Sequence, residues 1–124
     1  MLLLAGASGS AMAIWSELQR GGPEGFAIHI DPATIRRVDS RVKMWVLFDY
    51  KTAQMIGNQP YLSERTQDEY DCEEEQFRML GFSNHSEHMA AGRVVLRSSL
   101  PGDWMRVEPG TANEVLWKFA CSKQ

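Results

Sequence analysis

The chain has 124 residues, of which 44% are hydrophobic, and its formal net charge is −3. This length and apolar content suit one domain with a single core, and the four tryptophans and seven methionines argue against a disordered chain. A protein that binds nucleic acid gathers an excess of Lys and Arg on one face. The acidic balance therefore argues against nucleic acid as a partner.

Residues 1–13 are apolar, uncharged and rich in small side chains. They end in Ala11-Met12-Ala13, the A-x-A form of a signal-peptidase site, and this predicts an export signal. The positively charged start of such a signal is missing, so the signal is truncated or atypical; a buried N-terminal strand is the alternative. The segment is too short to span a membrane as a helix, so we expect no membrane span. Residues 14–124 would then form one domain in the periplasm, in the medium or at the cell surface.

The first half of this domain reads as strands. Ile14 to Leu18 is a short candidate strand, and residues 25–30 alternate large and small side chains with the period of a half-buried strand. Asp31 and Pro32 then predict the start of a short helix. The Asp side chain can accept hydrogen bonds from free amides there, and Pro at the first helical position loses no hydrogen bond.

The segment 41–51 is the strongest predicted strand. One face is wholly apolar and carries Val42, Met44, Val46, Phe48 and Tyr50. The other face is apolar only at its centre and carries Lys43, Trp45, Leu47, Asp49 and Lys51. This pattern is typical of a central antiparallel strand that a helix covers on one side and that is partly covered on the other.

Residues 61–86 allow two readings. Helix propensity is high between 67 and 80, but a helix from Tyr70 would align Glu73, Glu74 and Phe77 in a poor apolar stripe. We therefore predict strand, with a β-bulge near residues 74–76 that changes which residues share a face.

The end of the chain predicts two more strands, at 92–97 and 104–107, and a helix. Residues 111–114 fit a capping box, and an apolar stripe of helical period follows, formed by Ala112, Val115, Leu116, Phe119 and Ala120. The predicted fold class is α+β, with an antiparallel sheet of about six strands and a C-terminal helix packed on one face. An exported chain with an even number of cysteines favours a disulfide, and a helix lying on the sheet would bring Cys121 close to Cys72.

Candidates for metal chemistry are weak. His85 and His88 have the i, i+3 spacing of a helical ligand pair, with Glu87 as an oxygen donor, but a site needs three or four rigid ligands. The surrounding residues read as a loop, so we expect solvated histidines, no metal and no cofactor. The acidic run from Asp68 to Glu75 could attract Ca²⁺, but it lacks the calcium-loop pattern, and a charged strand edge explains it more simply.

No catalytic constellation is apparent either. Ser63, Ser98 and Ser99 have no recognisable base beside them, there is no G-x-S-x-G, and Cys72 is not part of a C-x-x-C pair. The sequence therefore predicts a protein that is not an enzyme.

The tryptophans are more informative about function than the metal-ligand or catalytic candidates. Four tryptophans cannot all lie beneath one helix, so Trp45, on the second face of the central strand, is a candidate for a binding patch or a homodimer interface. Trp104 is the second candidate. The alternative is a minor core beneath loops.

The order of several segments resembles the surface-adhesin protein E-like family of small exported bacterial domains. The segments are 27–35 with its Ile-Asp-x-x-Thr-Ile turn, 44–51, 61–63, 69–72, 92–95 and 116–123. The resemblance implies an antiparallel sheet with a C-terminal helix, a Cys72–Cys121 disulfide and, in some members, a dimer. It also implies binding of extracellular-matrix and serum proteins such as laminin and vitronectin. In the family this binding is associated with a basic segment ahead of the first cysteine. Residues 62–71 are mostly acidic here, so no binding residue is transferred.

Three functions follow from these observations. The first is a non-enzymatic exported domain that binds another macromolecule, such as an extracellular-matrix or envelope protein, through the uncovered sheet face or its loops. The second is a periplasmic binder of a small ligand or metal that uses His85, His88 and nearby carboxylates. The third is a hydrolase accessory protein, or an enzyme whose nucleophile or base the sequence does not reveal.

Overall fold

The computed structural model describes residues 14–19 and 25–122 of the chain. The predicted export signal, residues 1–13, lies outside the described residues. The elements are β1 (Ser16–Gln19), β2 (Phe26–Val38), β3 (Arg41–Ile56), β4 (Gln59–Asp71), β5 (Gln76–His85), a 3₁₀ turn (His88–Ala90), β6 (Val94–Ser98), β7 (Met105–Arg106) and α1 (Ala112–Ser122).

The strands form one antiparallel sheet in the order β1-β2-β3-β4-β5-β6, and β7 also pairs with β5. Strands that follow one another in the chain are neighbours in the sheet, so the connections are mostly hairpins. β3 and β4 lie at the centre of this order and share the longest run of paired residues. The predicted antiparallel sheet with a C-terminal helix is confirmed.

The core lies between α1 and one face of the sheet, here called the inner face. Its fully or almost fully buried apolar side chains come from β2, β3, β4 and α1: Ile28, Ile30, Val42, Met44, Val46, Tyr70, Leu116 and Ala120. The alternation predicted for β3 and the stripe predicted for α1 are therefore the two halves of one core. In the part of the chain that is described, no helix is long and apolar enough to span a bilayer.

The start of α1 is capped as the sequence predicts, with one difference. The Thr111 hydroxyl accepts a hydrogen bond from the Glu114 amide at 3.3 Å. The Glu114 carboxylate accepts one from the Gly110 amide at 2.9 Å, one residue earlier than in a standard capping box. Both contacts satisfy amides that a helix start leaves free.

The end of α1 is fixed to the sheet by a disulfide and a hydrogen bond. Cys72 and Cys121 are bonded, with their Cα atoms 5.6 Å apart. The indole N–H of Trp117 donates to the carbonyl of Asp71 at 3.0 Å. Asp71, the last residue of β4, and Cys72, the residue after it, therefore hold successive turns of the helix.

The helix predicted at Asp31–Thr34 is wrong. These residues belong to β2, where pairing with β3 is interrupted between Asp31 and Arg36. The Asp31 carboxylate does accept a hydrogen bond from the Ala33 amide, at 3.2 Å, but this closes only a local turn. The Thr34 hydroxyl then accepts one from the Trp45 amide of β3 at 3.0 Å. Cross-strand hydrogen bonding therefore outweighs the local preference for a helix.

The bulge predicted near residues 74–76 is also wrong, although the strand prediction for 61–86 is right. The segment forms two strands, β4 and β5, joined by a tight turn at residues 72–75. The Asp71 carboxylate accepts hydrogen bonds from the Glu73 and Glu74 amides, both at 3.1 Å, and Glu75 adopts a positive φ of 54°. The change of face comes from a reversal of the chain.

Candidate functional site

The sheet face opposite α1, here called the outer face, carries both candidate tryptophans. Residues directly opposite each other in antiparallel strands point to the same side of the sheet. On the outer face this gives three cross-strand rows: Asp31, Trp45, Gln67 and Gly81; His29, Leu47, Arg65, Ser83 and Arg97; and Lys43, Glu69 and Arg78.

Trp45 lies half-buried at the centre of this face. The guanidinium carbon of Arg65 lies 3.9 Å from the centre of the indole ring. A cation over an aromatic face is attracted by the ring quadrupole, by about 0.5–1 kcal/mol at an exposed site. Leu47, in the neighbouring row, is fully buried. The outer face therefore has a small apolar centre. This agrees with the prediction that the second face of β3 is apolar at its centre and partly covered.

Trp104 lies on the same face, beside Arg41, the first residue of β3. It precedes β7, in which Met105 pairs with Phe77 on the inner face. The guanidinium carbons of Arg41 and Arg78 lie 5.0 and 4.7 Å from the centre of its ring. Both tryptophans therefore contact arginine. These partners are distant in the chain, so the sequence does not indicate the contacts.

A groove of about 480 Å³ opens beside Trp45 on the outer face, between β3, β4, β5 and β6. It is lined by apolar and polar residues: Trp45, Arg65, Gln67, Leu80, Phe82, Ser83, His85, Val94, Arg97, Ser98 and Ser99. Gly81 also lines the groove. A Cβ atom there would lie 3.0 Å from the carbonyl oxygen of Ser98, so a larger residue would disturb the pairing of β5 with β6.

The charges of this groove are of one sign. Its lining includes two arginines, Arg65 and Arg97, and one histidine, but no carboxylate. Burial lowers the pKa of His85, and the two guanidinium groups lower it further. Burial also lowers the pKa of Arg65, an effect that the charge of Asp31 opposes. Among residues 14–19 and 25–122, no carboxylate forms a salt bridge with either arginine.

The candidate metal ligands His85 and His88 have different partners. The Nε2 atom of His85 is 2.7 Å from the Ser83 hydroxyl, whereas the Nδ1 atom of His88 is 3.2 Å from a carboxylate oxygen of Asp49. His85 is the last residue of β5 and is buried, so the expectation of a loop histidine there is wrong. Within the described ranges, no group of three or more His, Cys, Asp or Glu side chains is arranged to hold a metal ion. His29, on the outer face of β2, is also buried.

The contact between Ser83 and His85 was not predicted from the sequence. The signal was available, because residues two apart in a strand share a face. The strand prediction for residues 61–86 implies this contact, but the polar residues Ser83, Asn84 and Ser86 are also typical of a loop, and a loop gives no fixed relation between the two side chains.

The acidic run does not form one cluster. Glu73, Glu74 and Glu75 are exposed in the turn between β4 and β5. Glu69, on the outer face, accepts hydrogen bonds from the guanidinium group of Arg78 at 2.9 Å. Asp68 is buried on the inner face, where burial raises the pKa of its carboxyl to about 6. A charged strand edge is therefore not the explanation, because these residues are divided between both faces and a turn.

The comparisons with known proteins agree with this fold. The sequence profile of the family described as Surface-adhesin protein E matches residues 15–122. The chain belongs to the surface-adhesin protein E family. No curated protein matches the sequence.

Solved structures of Haemophilus influenzae protein E are similar to this member of the family. Crystal form II has a TM-score of 0.62 at 12% identity, and the match covers 89% of this chain and 97% of that chain. A second structure of the same protein has a TM-score of 0.59 at 13% identity and covers 83% and 88%. Protein E from non-typeable Haemophilus influenzae gives 0.52 at 12% identity and covers 88% and 83%. At these identities, the likeness shows a shared fold. Family membership makes this chain a surface-adhesin-like protein.

Proposed function

We propose that this surface-adhesin-like chain is an exported, non-enzymatic domain that binds an extracellular-matrix or envelope protein through its outer face. The observation that supports this most directly is the position of Trp45 and Trp104. Both lie half-buried on the face that α1 leaves uncovered, and both contact arginine. Tryptophan and arginine are the side chains most enriched among residues that dominate protein–protein binding energy.

The hydrogen bonds of the candidate nucleophiles support a non-enzymatic role. Ser63 donates to the Glu87 carbonyl at 2.6 Å and accepts from the Ala90 amide at 2.9 Å, so its hydroxyl serves the 3₁₀ turn. Ser83 does contact a base, His85. In a nucleophile–base pair, however, a third group orients the base. Within the described part of the chain, Nδ1 of His85 is buried without a hydrogen-bond partner.

The binding proposal is tested by biolayer interferometry of the purified chain on immobilised laminin and vitronectin, the partners that the family resemblance implies. Trp45→Ala and Trp104→Ala should each weaken binding at least about tenfold, as expected for a central interface tryptophan. Met55→Ala is the matched control, because Met55 is an exposed apolar residue at the far end of β3. Circular dichroism confirms that each variant is folded.

Unchanged binding by both tryptophan variants would place the interface elsewhere and overturn the role of the outer face. Failure of the unaltered chain to bind either matrix protein would overturn the proposal of an extracellular-matrix partner. A fluorophosphonate ester tests the non-enzymatic role, since covalent labelling of Ser83 would identify an activated serine and contradict it.

A further inference from the structure

We propose that the groove beside Trp45 is a carboxylate-binding subsite, and that it receives an Asp or Glu side chain flanked by apolar residues in a segment of the partner protein. The inference rests on the proposed function, because it names the chemistry of the partner at the same face. It is carried by the juxtaposition of Arg65 and Arg97, which form no salt bridge with a carboxylate of the described residues, with the Ser83 hydroxyl, which also contacts His85, and the aromatic wall of Trp45.

The charged groups form one row across three strands. Arg65 on β4 is opposite Ser83 on β5, which is opposite Arg97 on β6. Neighbouring strands lie about 4.8 Å apart, so the two arginine backbones are roughly 10 Å apart with the serine between them. Long arginine side chains rooted at this separation can both reach a small anion above Ser83. Guanidinium groups match the planar geometry of a carboxylate.

The charge of Arg97 is unpaired within the described residues, and that of Arg65 is opposed by Asp31 only at longer range than a salt bridge. Arg65 is also partly buried against Trp45, which removes some of the water that would otherwise screen it. An arriving carboxylate would gain charge-assisted hydrogen bonds here. A neutral amide of the same shape would gain less.

The remainder of the groove and of the chain favours one carboxylate over a polyanion. The walls include Leu80 and Val94, which suit apolar neighbours of the bound acid. The whole chain has a net charge of −3. A densely charged polyanion would be repelled by this excess of negative charge, whereas a segment with one acid would be repelled much less.

The inference is tested by a nuclear magnetic resonance titration of the ¹⁵N-labelled chain with two blocked tripeptides, acetyl-Leu-Glu-Leu-amide and acetyl-Leu-Gln-Leu-amide. The side-chain Nε–H signals of Arg65 and Arg97 are the readout, assigned with Arg65→Gln and Arg97→Gln. The glutamate peptide should shift both signals and bind at least about tenfold more tightly than the glutamine peptide. Titrations with sodium sulfate and with a heparin oligosaccharide test whether the groove prefers a polyanion to the glutamate peptide.

Arg97→Gln should remove most of the preference for glutamate. Arg106→Gln is the matched control, since it removes the same charge from an exposed position on β7, outside the groove. It should leave the preference unchanged. Because Arg97 is exposed, this variant tests the site even if Arg65→Gln loses stability through its contact with Trp45.

Several outcomes would overturn the inference. These are equal binding of the two peptides, binding of neither, an equal effect of Arg97→Gln and Arg106→Gln, and tighter binding of sulfate or heparin than of the glutamate peptide. The proposed function fails separately. If matrix proteins bind through the tryptophans while the Arg97→Gln variant retains full affinity, only the subsite is wrong. If the glutamate peptide binds as expected but no matrix protein does, only the proposed partner class is wrong.

Discussion

Replacing Asp68 by Asn should make the stability of this protein less dependent on pH. The side chain is buried on the inner face of the sheet, where it accepts a hydrogen bond from the Tyr70 hydroxyl at 2.9 Å. Burial raises the pKa of the carboxyl from 3.8 to about 6, although the hydrogen bond from Tyr70 opposes the rise. The folded protein therefore holds the proton more tightly than the unfolded chain does.

The magnitude follows from linkage between proton binding and folding. Because the pKa in the folded state is the higher one, the stabilisation from Asp68 protonation is present in full below pH 3.8 and is lost as the pH rises through about 6. The complete loss is about 3 kcal/mol, since one pKa unit corresponds to about 1.4 kcal/mol. Between about pH 4.5 and 7.5, the same linkage gives a loss of about 2 kcal/mol.

The assay is urea unfolding of the wild type and of Asp68→Asn at these two pH values, followed by circular dichroism. Asn has no charge at either pH and can still accept the Tyr70 hydrogen bond. The difference in unfolding free energy between variant and wild type should therefore move by about 2 kcal/mol in favour of the variant on going to the higher pH. Other titrating groups are common to both proteins and largely cancel. A difference that stays constant within about 0.5 kcal/mol would refute the reasoning, because Asp68 would then titrate alike in both states.

Three further predictions concern the attachment of α1. Cys72→Ser should lower the free energy of unfolding by about 4 kcal/mol, because the disulfide closes a sequence separation of 49 residues; equal melting temperatures of the wild type with and without reductant would contradict this. Phe119→Ala should cost about 3 kcal/mol in urea unfolding, since Phe119 packs against the core, whereas Lys118→Ala on the exposed side should cost less than about 0.5 kcal/mol. Trp117→Phe removes the 3.0 Å hydrogen bond to the Asp71 carbonyl and should cost about 1 kcal/mol; no loss in thermal unfolding would mean that water replaces this contact.

The sequence predicted the core where local period decides the fold. Val42, Met44 and Val46 alternate along β3, and Leu116 and Ala120 repeat along α1. The buried side of each element can therefore be predicted from its own sequence, without knowledge of the elements that pack against it. The fold class, the helix cap and the proximity of the two cysteines follow from these patterns. The errors at residues 31–34 and 74–76 arose where side-chain hydrogen bonds to the backbone were compatible with more than one local structure.

The proposed binding groove could be predicted from the sequence only in part. The position of Trp45 on the second face follows from its place in β3, so the sequence identified one wall of the groove. Its charged members could not be found in this way. Arg65 and Arg97 flank Ser83 only because two hairpins set the register between three strands.

The sequence by itself determined which side chains of each element face the core, because the period of a strand or helix is a local property of the chain. The tertiary structure decided which outward side chains meet. The register of β4 against β5 leaves Asp68 in the core and places Arg65 beside Ser83, and β7 brings Trp104 onto Arg41 and Arg78. Such contacts depend on turn geometry and on pairing between distant segments, and a shift of one residue would turn every side chain to the opposite face.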